Sequence, residues 1–374
     1  MTNKTETGEP VYALGLMSGT SLDGIDVALI RSDGERMYEF GPWITLPYAA
    51  ELRQSLRRLI AVGPAIDEEK HGVAAVEVAL TEAHSAAVIA LLTEAGLQAE
   101  QIHVVGFHGH TIWHDPAHGA TRQIGDGTLL AECVGIDVVN NFRSADMAAG
   151  GQGAPLASLY HCALVRDLGD SLALPLAVLN LGGVGNITWI GHGQGLLAFD
   201  TGPGCALIDD WLLSHFGQRY DYDGELAASG EVNEPVLARL MEDPYFSKLP
   251  PKSLDRNAFD ASPVESLAAA DGAATLVAFT AAAVARGLEL CPERASQMLV
   301  TGGGRHNPVI MAALAQLSEI KVGPVEALGW RGDALEAEAF AFLAVRALQG
   351  KVLSVPETTG VPRAISGGVL HRAS

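Results

Sequence analysis

Residues Leu14 to Ile30, LGLMSGTSLDGIDVALI, are two short apolar runs joined by a loop of Gly, Ser, Thr and Asp. A strand that ends at Met17-Ser18-Gly19-Thr20-Ser21 and resumes at Ile25 predicts a β-hairpin with a polar tip. Gly19 and Gly24 permit backbone conformations that a Cβ would forbid. Thr20 and Ser21 add hydroxyls, and Asp23 and Asp26 add carboxylates. Such a tip can aim backbone N–H groups at a phosphate while a carboxylate holds a hydrated Mg²⁺. An ordinary hairpin turn has the same composition. The layout returns later in the chain, with a strand at Ala177 to Leu181, a glycine turn at Gly182 to Asn186 and a second strand at Ile187 to Ile190. The two stretches are too dissimilar to be a repeat. Their shared plan still predicts two domains of related topology, which a length of 374 residues also favours.

Between these hairpins, strands and helices alternate. Met37 to Leu46 reads as a third strand, Ala49 to Ala61 and Ile66 to Ala95 as helices, and Ile102 to Phe107 as a buried strand. Leu129 to Val134 reads as a helix and Ile136 to Val139 as a short strand. Phe142 to Pro155, FRSADMAAGGQGAP, is poor in bulky residues and rich in Gly and Ala, and is the best candidate for a crossing between domains. In the second half, Leu196 to Phe199 is a strand ending at Asp200, and Cys205 to Phe216 is a helix. Tyr220 to Asp260 is polar and irregular and contains Lys252, Ser253 and Arg256. Ala268 to Leu290 is an Ala-rich helix, Met298 to Thr301 a strand, and Asn307 to Leu317 and Arg331 to Leu348 helices. The tail after Gly350 reads as loop. An apolar content of 48% with 42 glycines fits such an α/β pattern with tight turns.

A formal charge of −20 argues against nucleic acid and against an anionic membrane as partners. A phosphorylated small molecule would have to be held locally, by backbone amides, a metal ion and a few cations. Cys133, Cys162, Cys205 and Cys291 show no metal-ligand spacing and no disulfide framework. The polar N-terminus does not read as a signal peptide, and no apolar run reads as long enough to span a bilayer. These features predict a cytoplasmic protein with reduced thiols.

G-x-x-x-x-G-K-[ST], H-E-x-x-H and G-x-S-x-G are all missing from the sequence, which disfavours P-loop, zinc-protease and α/β-hydrolase chemistry. Gly182 to Asn186 leads into a strand rather than a helix, so it suits a phosphate-facing β-turn better than a dinucleotide fingerprint. Gly302-Gly303-Gly304 follows a strand and precedes a helix, where a flat ligand can lie against bare backbone; a tight strand–helix turn is the alternative. Asp200, before Thr201-Gly202-Pro203-Gly204, suits a general base at a strand end, or equally an Asx-turn. Thr111, with His108, is a candidate substrate contact, because His108 and His110 lack a convincing third metal ligand. Asp146 is a hinge or binding candidate. Glu336 and Glu338 lie on the last helix, where most glutamates are solvated. Three glycine turns after strands, with acidic residues near two of them, allow two halves to close on a nucleotide, as in actin and hexokinase.

The segments GLMSGTSLDGIDVAL (Gly15 to Leu29), FHGHTIWHDP (Phe107 to Pro116), AAGGQGAPL (Ala148 to Leu156), LNLGGVGNIT (Leu179 to Thr188), FDTGPG (Phe199 to Gly204) and EAEAFAFLA (Glu336 to Ala344) together resemble the anhydro-N-acetylmuramic acid kinases. The resemblance runs from about residue 12 to 348. It implies an α/β, two-domain actin-like (ribonuclease H-like) ATPase fold with an interdomain cleft. One domain would span residues 1–141, completed by the C-terminal helix 331–350, and the other residues 142–330. It implies conversion of 1,6-anhydro-N-acetylmuramic acid, ATP and water to N-acetylmuramic acid 6-phosphate, with Mg²⁺, in a homodimer. Gly19, Thr20, Ser21, Leu22, Asp23, Gly24, Ile25 and Asp26 match the family's ATP phosphate loop. Gly182, Gly183 and Asn186, with Gly302, Gly303 and Gly304, would complete the nucleotide contacts, and Asp23 is the favoured metal ligand. Asp200 matches the catalytic base, and Thr111 and Glu336 match the sugar contacts. Cys205 stands where the family usually has Asn, which questions any polar contact from that position. Another sugar kinase of this fold, acting on a free hydroxyl, and a non-enzymatic ATP-binding switch are the competing readings.

Overall fold

The computed structural model describes residues 8–19, 22–169 and 172–373. The chain forms two compact units, Met1–Gly169 with Ala334–Ser374, and Asp170–Asp333.

In the first unit, β1 (Val11–Met17), β2 (Gly24–Ser32) and β3 (Met37–Pro47) form an antiparallel meander. The helices α1 (Ala50–Val62) and α2 (Val73–Ala95) follow. The chain then returns through β4 (Val104–Phe107), parallel to β1. A separate hairpin of β5 (His110–Asp115) and β6 (Ala120–Ile124) leads to α3 (Gly127–Val134) and to β7 (Val138–Asn140), which is parallel to β4. Then come α4 (Ser144–Ala148) and α5 (Ser158–Leu168).

In the second unit, β8 (Leu176–Leu181), β9 (Val184–Ile190) and β10 (Leu196–Pro203) form another antiparallel meander. It is followed by α6 (Ala206–Phe216), α7 (Glu225–Ala228), α8 (Glu234–Leu240) and α9 (Ala269–Leu288). The strand β11 (Gln297–Thr301) is parallel to β8, and after α10 (Pro308–Ser318) the strand β12 (Lys321–Pro324) is parallel to β11. The chain then re-enters the first unit with α11 (Leu335–Leu348), α12 (Pro356–Thr359) and β13 (Val369–His371).

The sheet orders are β13-β7-β4-β1-β2-β3 and β10-β9-β8-β11-β12. Each unit therefore places a three-strand meander beside parallel strands reached by helical crossovers. This is the actin-like, ribonuclease H-like plan built twice. The middle strands β4 and β8 are buried along their whole length, as strands covered on both faces must be. Leu14, Leu16, Leu80, Leu91 and Phe107 anchor one core, and Leu179, Ile187, Phe199, Phe279 and Val300 the other.

The C-terminal helix lies directly on the first sheet because both surfaces are bare. Gly15 and Gly106 are cross-strand partners. A Cβ on Gly15 would sit 1.7 Å from the Ala337 carbonyl oxygen, and one on Gly106 would sit 2.1 Å from that of Phe340. On the helix side Ala337, Ala339, Ala341 and Ala344 are fully buried.

Several expectations need correction. The crossing between units is at Gly169 and again at Asp333, not within Phe142 to Pro155. That stretch stays in the first unit because buried Asp146 ties it down. Its Oδ1 accepts from the Gly153 N–H at 2.7 Å, and its Oδ2 accepts from the Ser354 and Thr359 hydroxyls, both at 2.5 Å. Asp146 is thus a staple to the C-terminal tail, not a hinge. The tail itself is ordered by these bonds, by α12 and by β13 pairing with β7. The hairpin β5–β6 and the helix α5 had no clear sequence signal. Among the described residues one helix, α2, is long and apolar enough to cross a membrane by length and composition alone, contrary to the expectation that no run is. Its residues Leu80, Ala87, Val88 and Leu91 belong to the first core.

Candidate functional site

The hairpin tip between β1 and β2 splits into residues that build it and residues that face out. Thr20 and Ser21 lie outside the described residues. The Leu22 N–H donates to the Gly19 carbonyl at 3.1 Å. Leu22 takes a left-handed φ of 61°, and its side chain, like that of Ile25, sinks into the core. Both therefore offer a ligand only their backbone. Gly24 is required by packing, since a Cβ there would lie 2.6 Å from the Leu46 carbonyl oxygen. Asp26 is a strand residue opposite Met17, and its Oδ1 accepts from the Thr45 hydroxyl at 2.6 Å. Asp23 is exposed at the tip. Just before the loop, the Ser18 hydroxyl and His110 Nδ1 are 2.7 Å apart and buried. Burial, with His84 nearby, lowers the His110 pKa to about 3, so this imidazole is neutral. The sequence reading missed this tie, which spans 92 residues.

His108 is buried rather than open to a ligand. Arg143 Nη2 reaches its Nε2 at 2.9 Å. A guanidinium can only donate, so Nε2 is the acceptor and Nδ1 carries the hydrogen, donating to the Gly109 carbonyl at 3.0 Å. Burial first, and then Arg143, hold its pKa well below the usual value. Both ring nitrogens of His108 thus have partners within the protein, and Nε2 is the acceptor that orients Arg143. Thr111 is half-buried on β5 and receives a bond from Gln123 Nε2 at 3.2 Å. Glu336 is half-buried in the first turn of α11. Glu338 is fully buried and accepts from the Tyr160 hydroxyl at 2.6 Å.

In the second unit a polar row crosses the sheet: Thr301 pairs with Asn180, Asn180 with Asn186, and Asn186 with Asp200. Directly opposed residues share a face, so this row lines one side of the sheet. Asn180 Oδ1 is buried with no partner among the described residues. The turn after β8 is only Gly182–Gly183, because β9 already starts at Val184. It meets the start of α6, where the Cys205 N–H donates to the Gly182 carbonyl at 2.8 Å and the Gly204 N–H to that of Gly183 at 2.9 Å.

The turn after β11 packs on the same place. A Cβ on Gly302, whose φ is 79°, would lie 2.4 Å from Asn180 Oδ1, and one on Gly304 would lie 2.9 Å from Cys205 Sγ. Gly303 and Gly182, by contrast, have nothing within 4 Å of such a Cβ. Turn geometry thus accounts for Gly302 and Gly304 but leaves Gly303 and Gly182 facing open space. Arg305 secures the turn, donating to the Gly302 carbonyl at 3.0 Å and to Glu326 and Asp333 at 2.9 Å each. At Cys205, burial and then Asp209 push the thiol up to about 12, so it carries no charge.

Asp200 is not the last residue of its strand. It sits inside β10 at a β-bulge between Asp200 and Gly202, a feature that re-aims side chains. Its N–H donates to the Lys252 carbonyl at 2.8 Å, its carbonyl accepts from the Tyr245 hydroxyl at 2.6 Å, and its Oδ2 accepts from the Leu254 N–H at 2.8 Å. Tyr245 was not singled out from sequence, and Lys252 was named only as part of its irregular stretch, with no role. They lie 45 and more residues away in an irregular stretch, and no spacing rule links them to β10. Among the described residues, no group of three His, Cys, Asp or Glu is placed to hold a metal ion.

The profile of the anhydro-N-acetylmuramic acid kinase family matches residues 11–373. The chain is 54% identical to the anhydro-N-acetylmuramic acid kinase of Paramagnetospirillum magneticum, covering 96% of this chain and 99% of that protein. It is 52% identical to the enzyme of that name from Rhizorhabdus wittichii, with coverage of 97% and 99%. Identity to that of Rhodospirillum rubrum is 51%, with coverage of 99% and 96%.

Proposed function

The chain belongs to the anhydro-N-acetylmuramic acid kinase family, and we propose how its own residues carry out that family's reaction. The protein is an ATP-dependent sugar kinase of cell-wall recycling. The observation that carries the activity is a match along nearly the whole chain at about half identity.

In the substrate, O6 is tied to C1 and has no proton to remove. Asp200 instead takes a proton from a water molecule, whose oxygen attacks C1. The C1–O6 bond breaks, O6 accepts the γ-phosphoryl group, and ADP departs. A positioned base of this kind contributes about 10²–10⁴-fold. The Leu254 N–H on Oδ2 and the bulge fix the carboxylate's direction. The amides of the Gly19–Asp26 hairpin hold phosphate oxygens, and the open faces of Gly182 and Gly303 admit the rest of the nucleotide. Thr111 and Glu336 hold the sugar. At a net charge of −20, such local donors must do the binding that the global field opposes.

Mg²⁺ usually takes one or two carboxylates and completes its shell with waters and phosphate oxygens. Asp23 fits that habit, being exposed at the tip, whereas one oxygen of Asp26 is engaged by Thr45. Bound there, the ion would neutralise charge on the phosphates. A cytoplasmic setting, where ATP is available, and a homodimer complete the reading, with no nucleic-acid or membrane partner.

The test is ADP release with and without the anhydro-sugar, run in ¹⁸O-labelled water. Sugar-dependent turnover with label at C1, above slow anomeric exchange, is expected. Turnover without label at C1 would point to a kinase acting on a free hydroxyl.

A further inference from the structure

We infer that Lys252 is a positioning residue for Asp200: its ammonium closes the Tyr245–Leu254 segment into a brace that holds Asp200 by its backbone N–H, its carbonyl and one carboxylate oxygen. The inference rests on Asp200 being the base. The strand β10 is at the edge of its sheet, so the outward backbone groups of Asp200 need partners from elsewhere. One short segment supplies them all: the Lys252 carbonyl, the Tyr245 hydroxyl and the Leu254 N–H.

What closes the segment on itself is the Lys252 side chain. Its Nζ donates to the Tyr245 carbonyl at 2.9 Å, lies 4.3 Å from the Tyr245 ring centroid and 5.9 Å from that of Phe199, the residue before Asp200. Lys252 is 5% exposed. Packing alone does not call for an ammonium here, since an apolar side chain would fill the space without desolvating a charge. The charge is used: it grips the carbonyl and the ring of the same tyrosine whose hydroxyl grips Asp200.

Burial, together with Arg286 on α9 and Lys248 on the same segment, lowers the Lys252 pKa to about 8, while Asp200 on β10 acts to raise it. The Tyr245 hydroxyl, raised by burial and Asp200, stays neutral in this range. The brace is therefore charged at neutral pH and loses its charge as pH rises through about 8.

The experiment compares wild type, Lys252→Met, Lys252→Arg and Asp200→Asn in steady-state kinase assays from pH 6.5 to 10. In Lys252→Met, kcat is expected to fall about 10–100-fold, as a misplaced catalytic group does, with KM for ATP and sugar within about twofold. Lys252→Arg, which keeps the charge, should recover most of kcat. The wild-type basic limb near pH 8 should be missing from its profile. A limb that persists unchanged in Lys252→Arg, or a Lys252→Met defect confined to KM, overturns the positioning role. If Lys252→Met does not fold, the Lys252→Arg profile decides alone. Full turnover in Asp200→Asn would instead overturn the base assignment, and is read independently of the limb.

Discussion

At the scale of single residues, the glycines separate by what a side chain would meet. Gly302 is left-handed and walled in by Asn180 and Leu181, whereas Gly303 is open. Gly302→Ala is expected to destabilise the protein by about 1–3 kcal/mol through strain. Gly303→Val should leave the melting temperature within a degree or two and raise the KM for ATP. Thermal melts and ATP titrations of both variants check this, and an unaltered KM in Gly303→Val would remove that glycine from the nucleotide site. Asp200→Asn is expected to lower kcat by about 10²–10⁴-fold while ATP still binds, which calorimetric titration can read. Asp200 was legible as a candidate because FDTGPG sets a carboxylate beside a glycine turn. Its bulge and its Tyr245–Lys252 brace were not, since neither leaves a local trace. His108 shows the same limit of local reading. Its place after a strand suggested a ligand contact, but only the fold shows that Arg143 and Gly109 already occupy both ring nitrogens.

At the scale of elements, periodicity recovered most strands and helices, because alternation and apolar runs are local properties. The hairpin β5–β6 escaped because its residues are mixed and mostly half-buried. The helix α11 was legible as a helix, yet its seat was not: the contact depends on Gly15 and Gly106 meeting a stripe of alanines hundreds of residues later. That packing has a direct consequence. Gly106→Ala pushes a methyl group into the Phe340 carbonyl, and overpacking of this kind costs about 1–3 kcal/mol or more. A lowered melting temperature with a more mobile C-terminal segment, seen as faster amide exchange in α11, is the expected result. Unchanged exchange there would mean that the sheet yields instead of the helix.

At the scale of the whole molecule, acid should weaken the first unit. His84, His110 and His161 are held neutral by burial, with pKa values lowered to about 4, 3 and 3. In the unfolded chain each binds a proton near pH 6.5. Their folded pKa values lie below the unfolded one, so stability is full above about 6.5 and falls as pH drops toward 4 and 3. Urea midpoints at pH 7.5 and 5.5 test this, and a midpoint that does not fall would mean that these imidazoles are hydrated. The sequence by itself determined the α/β class, the two hairpin-led sheets, the glycine turns and the candidate base. Those follow from short-range rules: alternation for strands, glycine for turns, a carboxylate where a strand meets a turn. Only the tertiary structure decided that the chain re-enters its first unit after Asp333, that Asp146 is a staple, and that Lys252 and Tyr245 stand behind Asp200. Each of these joins residues tens to hundreds of positions apart. Such contacts are set by how packed layers bring backbone and charge together, and that information does not lie in any one stretch of chain.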